Sequence, residues 1–206
     1  MEPSTDRVLV IMAKTPRPGG VKSRLAPSLS FNTVVAFYCC LLDDTLALAR
    51  SLGDVEVAIM CPDSDVDELR ELAGNEASVV AQKAEGLAAV LTSFFAHFAE
   101  EHQRRIIAFN SDSPHLPRSV LEDAFEALAA HDVVVGPTHD GDYYLVGAKT
   151  SHPTLFAVSL GFVDLLYDID VSDDLTRLVA ELRLAPERAP RTAMWLKDWE
   201  RVAEQR

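Results

Sequence analysis

The sequence predicts an α/β fold: three layers, α/β/α, with a mostly parallel sheet between helices. Two observations carry this. Short, apolar, β-branched runs alternate with helical stretches along the chain. Glycine-containing breaks such as Gly53 and Gly74-Asn75 punctuate that alternation. Repeats, low-complexity stretches and linkers are absent from the sequence, so residues 1–206 are expected to form one domain, long enough for a single large core.

Taken in order, residues 7–13 read as a buried strand stopped by a Pro/Gly-rich loop. That loop, 14–27, is longer than most strand-to-helix connections. A helix is predicted from Ser28 or Ser30 to about Leu52. Ser30 can cap it, Val34, Phe37, Tyr38, Leu41 and Leu42 face inward, and Gly53 ends it. Strands follow at 55–60 and 78–81, with a short acidic helix at 63–73 between them. A helix is predicted at 85–101, with Val90, Leu91, Phe94, Phe95 and Phe98 inward. Next come a strand at 105–109, a helix at 117–130 with Pro117 in its first turn, strands at 132–136 and 143–148, and a short strand at 155–158. A helix at 172–184 is expected to be capped by Ser172. A terminal helix at 194–202 carries Trp195 and Trp199, more suited to core packing than to a contact.

Composition narrows the function. Acidic residues number 32 and basic ones 19, for a net charge of −13. That balance argues against general binding to nucleic acid and leaves small anions open. No apolar run reaches the ~20 residues of a membrane span, and the polar N-terminus has no signal-peptide core. Cys39, Cys40 and Cys61 lack metal-binding spacing and read as small core residues. A cytoplasmic setting is expected.

Four stretches could carry chemistry. The first is the loop 13–27, AKTPRPGGVKSRLAP. No Asp or Glu lies between Arg7 and Leu42, yet Lys14, Arg17, Lys22 and Arg24 fall there. Such a loop in an acidic chain reads as an anion holder, with a nucleotide phosphate chain as the working ligand. Gly19 and Gly20 would let backbone N–H groups approach a phosphate. Lys22 and Arg24 would pair with its oxygens. A Walker A loop is rejected because Val21 stands where glycine is required, and there is no G-x-G-x-x-G.

The second stretch is Asn110-Ser-Asp-Ser-Pro114, at the end of a strand, where Asp112 could bind a divalent cation together with substrate phosphates. A simple Asx-type turn would explain the same residues. His115 is expected to face solvent or the loop. The third is the strand–turn–strand from Gly136 to Gly147, with Asp140-Gly141 as its turn. It is either an ordinary hairpin or a rim that places Asp140 near an acceptor. In the fourth, Asp168-Ile-Asp-Val-Ser-Asp-Asp174, alternation puts Asp168 and Asp170 on one face. Asp173 and Asp174 suit the first turn of a helix, which leaves Asp170 as a candidate second metal ligand. The loops after Ala13, Phe109 and Gly136 lie at the carboxyl ends of their strands, where α/β sheets bind ligands.

Together the stretches PGGVKSRLAP, NSDSPHLP, GPTHDGDYYLVG and DIDVSDDL resemble a glycosyltransferase-A-like family related to the nucleotide-diphospho-sugar transferases. Its members carry P-G-x-V-K-T-R-L-A-P, G-S-D-S-P, G-P-x-x-D-G-G-Y-Y-L-I-G and D-V-D-T-x-x-D-L. The likeness spans roughly residues 8–178. More distantly the chain is similar to 2-phospholactate and molybdenum-cofactor guanylyltransferases. The resemblance implies a nucleotide-diphospho-sugar transferase fold, a Mg²⁺ or Mn²⁺ ion, and transfer of a nucleotidyl or glycosyl group. Asp112 matches the family's metal-binding Asp, and Asp170 matches a second metal ligand of related nucleotidyltransferases. Three departures fall on the substrate half. Asp142 replaces a glycine, Gln82 to Ala88 lacks most of a Q-x-x-G-D-L-G-x-R motif, and the segment 157–167 is short.

The resulting expectation is a metal-dependent transferase with a nucleoside triphosphate or nucleotide-sugar donor and a small acceptor. Lys14, Arg17, Gly19, Gly20, Lys22 and Arg24 bind the nucleotide, Asp112 and Asp170 hold the metal, and Lys22 and Asp140 serve catalysis. The alternative is a non-catalytic nucleotide-binding module with an altered acceptor side.

Overall fold

The computed structural model describes residues 6–82, 87–99, 104–139, 143–149, 160–164 and 166–203. The chain opens with strand β1 (Arg7–Met12), a 3₁₀ turn at Ser23–Leu25, and helix α1 (Phe31–Ser51). Ser30 caps α1 by accepting a hydrogen bond from the Thr33 N–H at 3.2 Å. Gly53, with φ of 57°, follows the helix in the left-handed conformation expected at such an end. Strand β2 (Glu56–Cys61), helix α2 (Val66–Ala73) and strand β3 (Ser78–Ala81) come next. Helix α3 (Leu87–Ala99), strand β4 (Arg105–Asn110) and helix α4 (Arg118–Ala130) follow, and β5 (Val133–Pro137) and β6 (Tyr143–Ala148) form an antiparallel pair. Strand β7 (Leu160–Phe162) and helices α5 (Ser172–Leu184) and α6 (Pro190–Ala203) complete the described elements.

The seven strands form one sheet in the order β3-β2-β1-β4-β6-β5-β7. All pairings are parallel except those of β6 with β4 and β5. Two antiparallel steps leave β5 running in the direction of β4. After β3 the chain returns to the far side of β1, so the order reverses between β1 and β4. Crevices at such reversals, outside the carboxyl ends of the strands, are where open α/β sheets hold ligands.

Alternation along β1 divides the core into two layers. Leu9 and Ile11 face α1, α2, α4, α5 and α6, while Val8 and Val10 face α3 with Phe94, Phe95 and Phe98. The two tryptophans of α6 pack against the larger layer. Trp195 lies 4.9 Å from the Phe37 ring and stacks on Trp199 at 6.2 Å. Buried Asp44 of α1 anchors the start of α6, accepting hydrogen bonds from the Thr192 N–H (2.8 Å) and hydroxyl (2.7 Å). A carboxylate in that position also complements the helix dipole.

Three expectations change. The edge strand lies at Leu160–Phe162, and the anticipated strand at 155–158 is outside the described residues. Ser172 is the first residue of α5 and does not cap it. The Asp174 carboxylate does that work, accepting from the N–H groups of Asp170 (3.0 Å) and Val171 (2.8 Å). Finally, α1 is long and apolar enough to qualify as a membrane span by length and composition alone, although no such run was expected. Here its apolar face is buried against the sheet and α6.

Candidate functional site

A cavity of about 380 Å³ opens at the carboxyl ends of β1, β2 and β4. Met12, Ala13 and Lys14 form one wall, residues 20–24 another, and Tyr38, Ser111, Asp112 and Asp170 the floor and far side. The parallel strands place the long loop after β1 beside the loop after β4. The segment before α5 brings Asp170 to the same point.

At the centre is the Lys22 ammonium, 2.6 Å from Asp112 Oδ2 and 2.9 Å from Asp170 Oδ1. The Lys22 side chain is only 4% exposed. Its backbone is left-handed, with φ of 44° and ψ of 40°, a conformation that is strained for a non-glycine residue and often found at functional sites. Burial works against the charged ammonium, but Asp112 and then Asp170 outweigh it and hold the Lys22 pKa above its ordinary value. Arg24, 72% exposed, reaches the other oxygen of Asp170 at 3.1 Å.

A chain of hydrogen bonds holds the far side. The Lys14 N–H donates to Tyr38 Oη (3.2 Å), Tyr38 Oη pairs with Ser111 Oγ (2.9 Å), and Ser111 Oγ donates to Asp112 Oδ1 (3.3 Å). Burial and the nearby Asp112 charge push the Tyr38 hydroxyl up to about 12, so the phenol stays protonated. Asp168 stands behind Asp112, accepting from Asn110 Nδ2 (2.6 Å) and Ser113 Oγ (3.3 Å). Burial raises its pKa; the Asn110 bond pulls the other way, and the Asp112 charge adds to the rise.

The structure gathers only some of the predicted residues. Lys14, Gly20, Lys22, Arg24, Asp112 and Asp170 line the cavity. Arg17 does not: its guanidinium is held by Asp65 (2.7 Å) and Glu68 (2.6 Å) at the start of α2. The expected phosphate ligand is thus placed in an ion-paired anchor beside the cavity. Gly19 is not a lining residue either. The Gly20 N–H closes a turn onto the Arg17 carbonyl at 2.9 Å, with Gly19 at φ of 76° inside it. The glycines therefore shape the loop. Asp140 and Asp142 lie outside the described residues. His115, expected at the surface, is 1% exposed and packs on Tyr167 with ring centroids 4.6 Å apart. Gly136 serves packing: a Cβ there would lie 2.6 Å from the Tyr144 ring.

Sequence reasoning missed Tyr38 and Ser111 as parts of the site, and Asn110 and Ser113 as partners of Asp168. Tyr38 was assigned only to an apolar helix face. Asp168 was within reach, because its shared face with Asp170 was already visible. Gln82, in the weakened motif, lines the cavity.

The two carboxylate oxygens converging on one cation are hard donors suited to Mg²⁺ or Mn²⁺. Among the described residues no three His, Cys, Asp or Glu side chains gather to hold a metal. The arrangement therefore fits a cation completed by substrate oxygens and water, and not an all-protein cage.

Solved structures share this architecture. A Desulfovibrio desulfuricans G20 protein, provisionally named a nucleotide-diphospho-sugar transferase, matches with a TM-score of 0.86 and 20% identity over 98% of both chains. Rv0371C of Mycobacterium tuberculosis H37Rv, solved as a complex with manganese, matches at 0.54 and 18% identity over 86% of this chain and 99% of that one. The inositol-1-phosphate CTP transferase of T. maritima matches at 0.56 and 15% identity over 85% and 94%. At these identities the likeness establishes the fold, that of the nucleotide-diphospho-sugar transferases. No curated protein matches the chain. Residues 45–159, more than half of the chain, match a bacterial family model; the chain belongs to that family, "Uncharacterized protein conserved in bacteria (DUF2064)".

Proposed function

We propose that the protein is a metal-dependent transferase whose donor is a nucleoside triphosphate or a nucleotide sugar. The observation that carries this is the Lys22 ammonium, buried between Asp112 and Asp170 on the cavity floor. Lys22 and Arg24 pair with donor phosphates. Asp112 and Asp170 hold Mg²⁺ or Mn²⁺. When bound, the ion neutralises charge on phosphate oxygens and on the leaving group.

The other residues keep this arrangement fixed. Tyr38 and Ser111 orient Asp112 from behind. Asn110 and Ser113 orient Asp168, which steadies the loop carrying Asp112. Such preorganisation places cationic groups where negative charge develops, without reorganisation at the moment of reaction. Arg24, exposed at the cavity edge, is placed to follow the outer phosphates. A cavity of about 380 Å³ is in the range of small-molecule sites. Asp140, which falls in sequence between β5 and β6, is proposed to serve the acceptor side, since β5 ends on the same rim as β4.

The test is a panel of nucleoside triphosphates and nucleotide sugars with Mg²⁺ or Mn²⁺ and small hydroxyl, phosphate or carboxylate acceptors. Released pyrophosphate marks nucleotidyl transfer; a released nucleoside diphosphate marks glycosyl transfer. Turnover of either kind that disappears in Asp112→Asn supports the reading. Nucleotide binding without turnover across the panel would identify a binding module instead.

A further inference from the structure

We propose that Lys22 makes this cavity a receptor for a metal-bound polyphosphate and excludes the free divalent cation. The inference rests on the metal-nucleotide reading above and adds the order of events. The ammonium occupies the point on which Asp112 and Asp170 converge, with contacts of 2.6 and 2.9 Å. A divalent ion using the same two oxygens has to displace it.

Displacement has no outlet while phosphate is absent. The Lys22 side chain is almost wholly buried, and it is carried on a left-handed backbone at the start of the 3₁₀ turn. Withdrawn from both carboxylates, the buried ammonium loses the two anions it touches, and Asp168, an acid that its charge also reaches, is already held by Asn110 and Ser113. An uncompensated buried charge is strongly unfavourable. The local charge gives a bare dication little attraction, since Lys22 and Arg24 offset Asp112 and Asp170 and leave only Asp168 over. The two carboxylates face two cations, since Arg24 takes the remaining oxygen of Asp170. The second oxygen of Asp112 accepts from Ser111. Asp168 is engaged by Asn110 and Ser113.

A polyphosphate changes this balance. Its oxygens give Lys22 and Arg24 new partners inside the same cavity and release the carboxylates to the metal arriving with it. Metal and polyphosphate then favour each other's binding. The coupling is reciprocal, as linkage requires. Arg17, tied to Asp65 and Glu68 outside the cavity, takes no part in the exchange.

The experiment uses Mn²⁺ and inorganic pyrophosphate as probes on the intact chain. Mn²⁺ binding is followed by the electron paramagnetic resonance of the free ion, and thermal unfolding is recorded in parallel. The wild-type melting temperature is expected to stay unchanged with Mn²⁺ alone and to rise with Mn²⁺ and pyrophosphate together. Lys22→Met and Lys22→Gln should each bind Mn²⁺ alone at least about tenfold more tightly than wild type, within the usual range of coupling factors. Their unfolding should respond to Mn²⁺ without pyrophosphate. Wild type binding Mn²⁺ alone as tightly as both variants, and losing it in Asp112→Asn, would overturn the exchange and leave the metal site standing. Failure of Mn²⁺ to bind any form, with or without pyrophosphate, would overturn the exchange and the metal-nucleotide reading together. The wild-type arm needs no folded variant, so the proposal stays testable if a substitution unfolds the chain.

Discussion

Arg17 and Lys22 belong to the same loop, and each ends on a pair of carboxylates, yet their surroundings differ. Arg17 is 44% exposed and ties the loop to the start of α2 through Asp65 and Glu68. Lys22 is buried in the cavity floor between Asp112 and Asp170, residues far from it in sequence. Arg17 fastens the loop from outside, and Lys22 holds the position where the proposed function puts a cation and phosphates. A cationic loop is thus not one functional unit. Which acids fold against each cation separates fastening from chemistry.

The largest effect expected along this divide is on activity. Lys22→Ala should lower turnover of an identified substrate by about 10²–10³-fold, the usual cost of removing a preorganised charge partner. Arg17→Ala should leave turnover nearly intact, and steady-state kinetics of the two variants make the comparison. Equal losses would erase the distinction.

Titration should separate the two halves next. Burial, with Arg177 and Arg188 nearby, pushes the His115 pKa down to about 4. An unfolded imidazole takes its proton near pH 6.5. The stabilising contribution is therefore complete above about pH 6.5 and is lost as pH falls toward 4, in total about 3 kcal/mol. Asp65 on the Arg17 side behaves differently. Burial raises its pKa, but the Thr15 N–H, Ser64 and Arg17 outweigh that, and the net value lies below 3.8. Its contribution is complete above the ordinary carboxylate value and is lost only as pH falls from there through the depressed folded value. Acid should accordingly weaken the Asp112 loop before the Arg17 anchor. Denaturant unfolding of wild type and His115→Phe between pH 7 and 4 checks this, with a shallower slope expected for the variant.

A smaller stability effect is expected at the anchor. Asp65→Ala leaves the buried Thr15 N–H without its 2.8 Å partner, at a cost of about 1–3 kcal/mol. Arg17→Ala should lower the melting temperature least, because an exposed pair contributes little. Differential scanning calorimetry ranks the two. If Arg17→Ala proves the more costly, the anchor depends on charge and not on the Asp65–Thr15 hydrogen bond.

Much of the fold was legible because local signals agreed with each other. Ser30 and Gly53 marked the ends of α1, Gly74 stopped α2, and apolar runs gave β1, β2 and β4. The cavity lining was legible where residue type and strand end coincided, as at Asp112, and where alternation left Asp170 over. What sequence could not supply was which charges meet. No acid lies near Arg17 or Lys22 along the chain, so the loop read as uniformly basic, whereas folding brings Asp65, Glu68, Asp112 and Asp170 to it. The glycines were ambiguous for a related reason. Gly19 and Gly20 suit close approach to phosphate and equally suit the turn onto the Arg17 carbonyl, and only backbone hydrogen bonding separates the two. Tyr38 escaped because one ring serves both the core and, through its hydroxyl, the Asp112 network.

The most direct test of the central claim is thermal unfolding with a nucleoside triphosphate and nucleotide-sugar panel in Mn²⁺, comparing wild type with Asp112→Asn. The account predicts that at least one nucleotide raises the wild-type melting temperature and that the rise vanishes in the variant. An equal rise in both proteins would contradict the placement of the metal-nucleotide site at Lys22, Asp112 and Asp170.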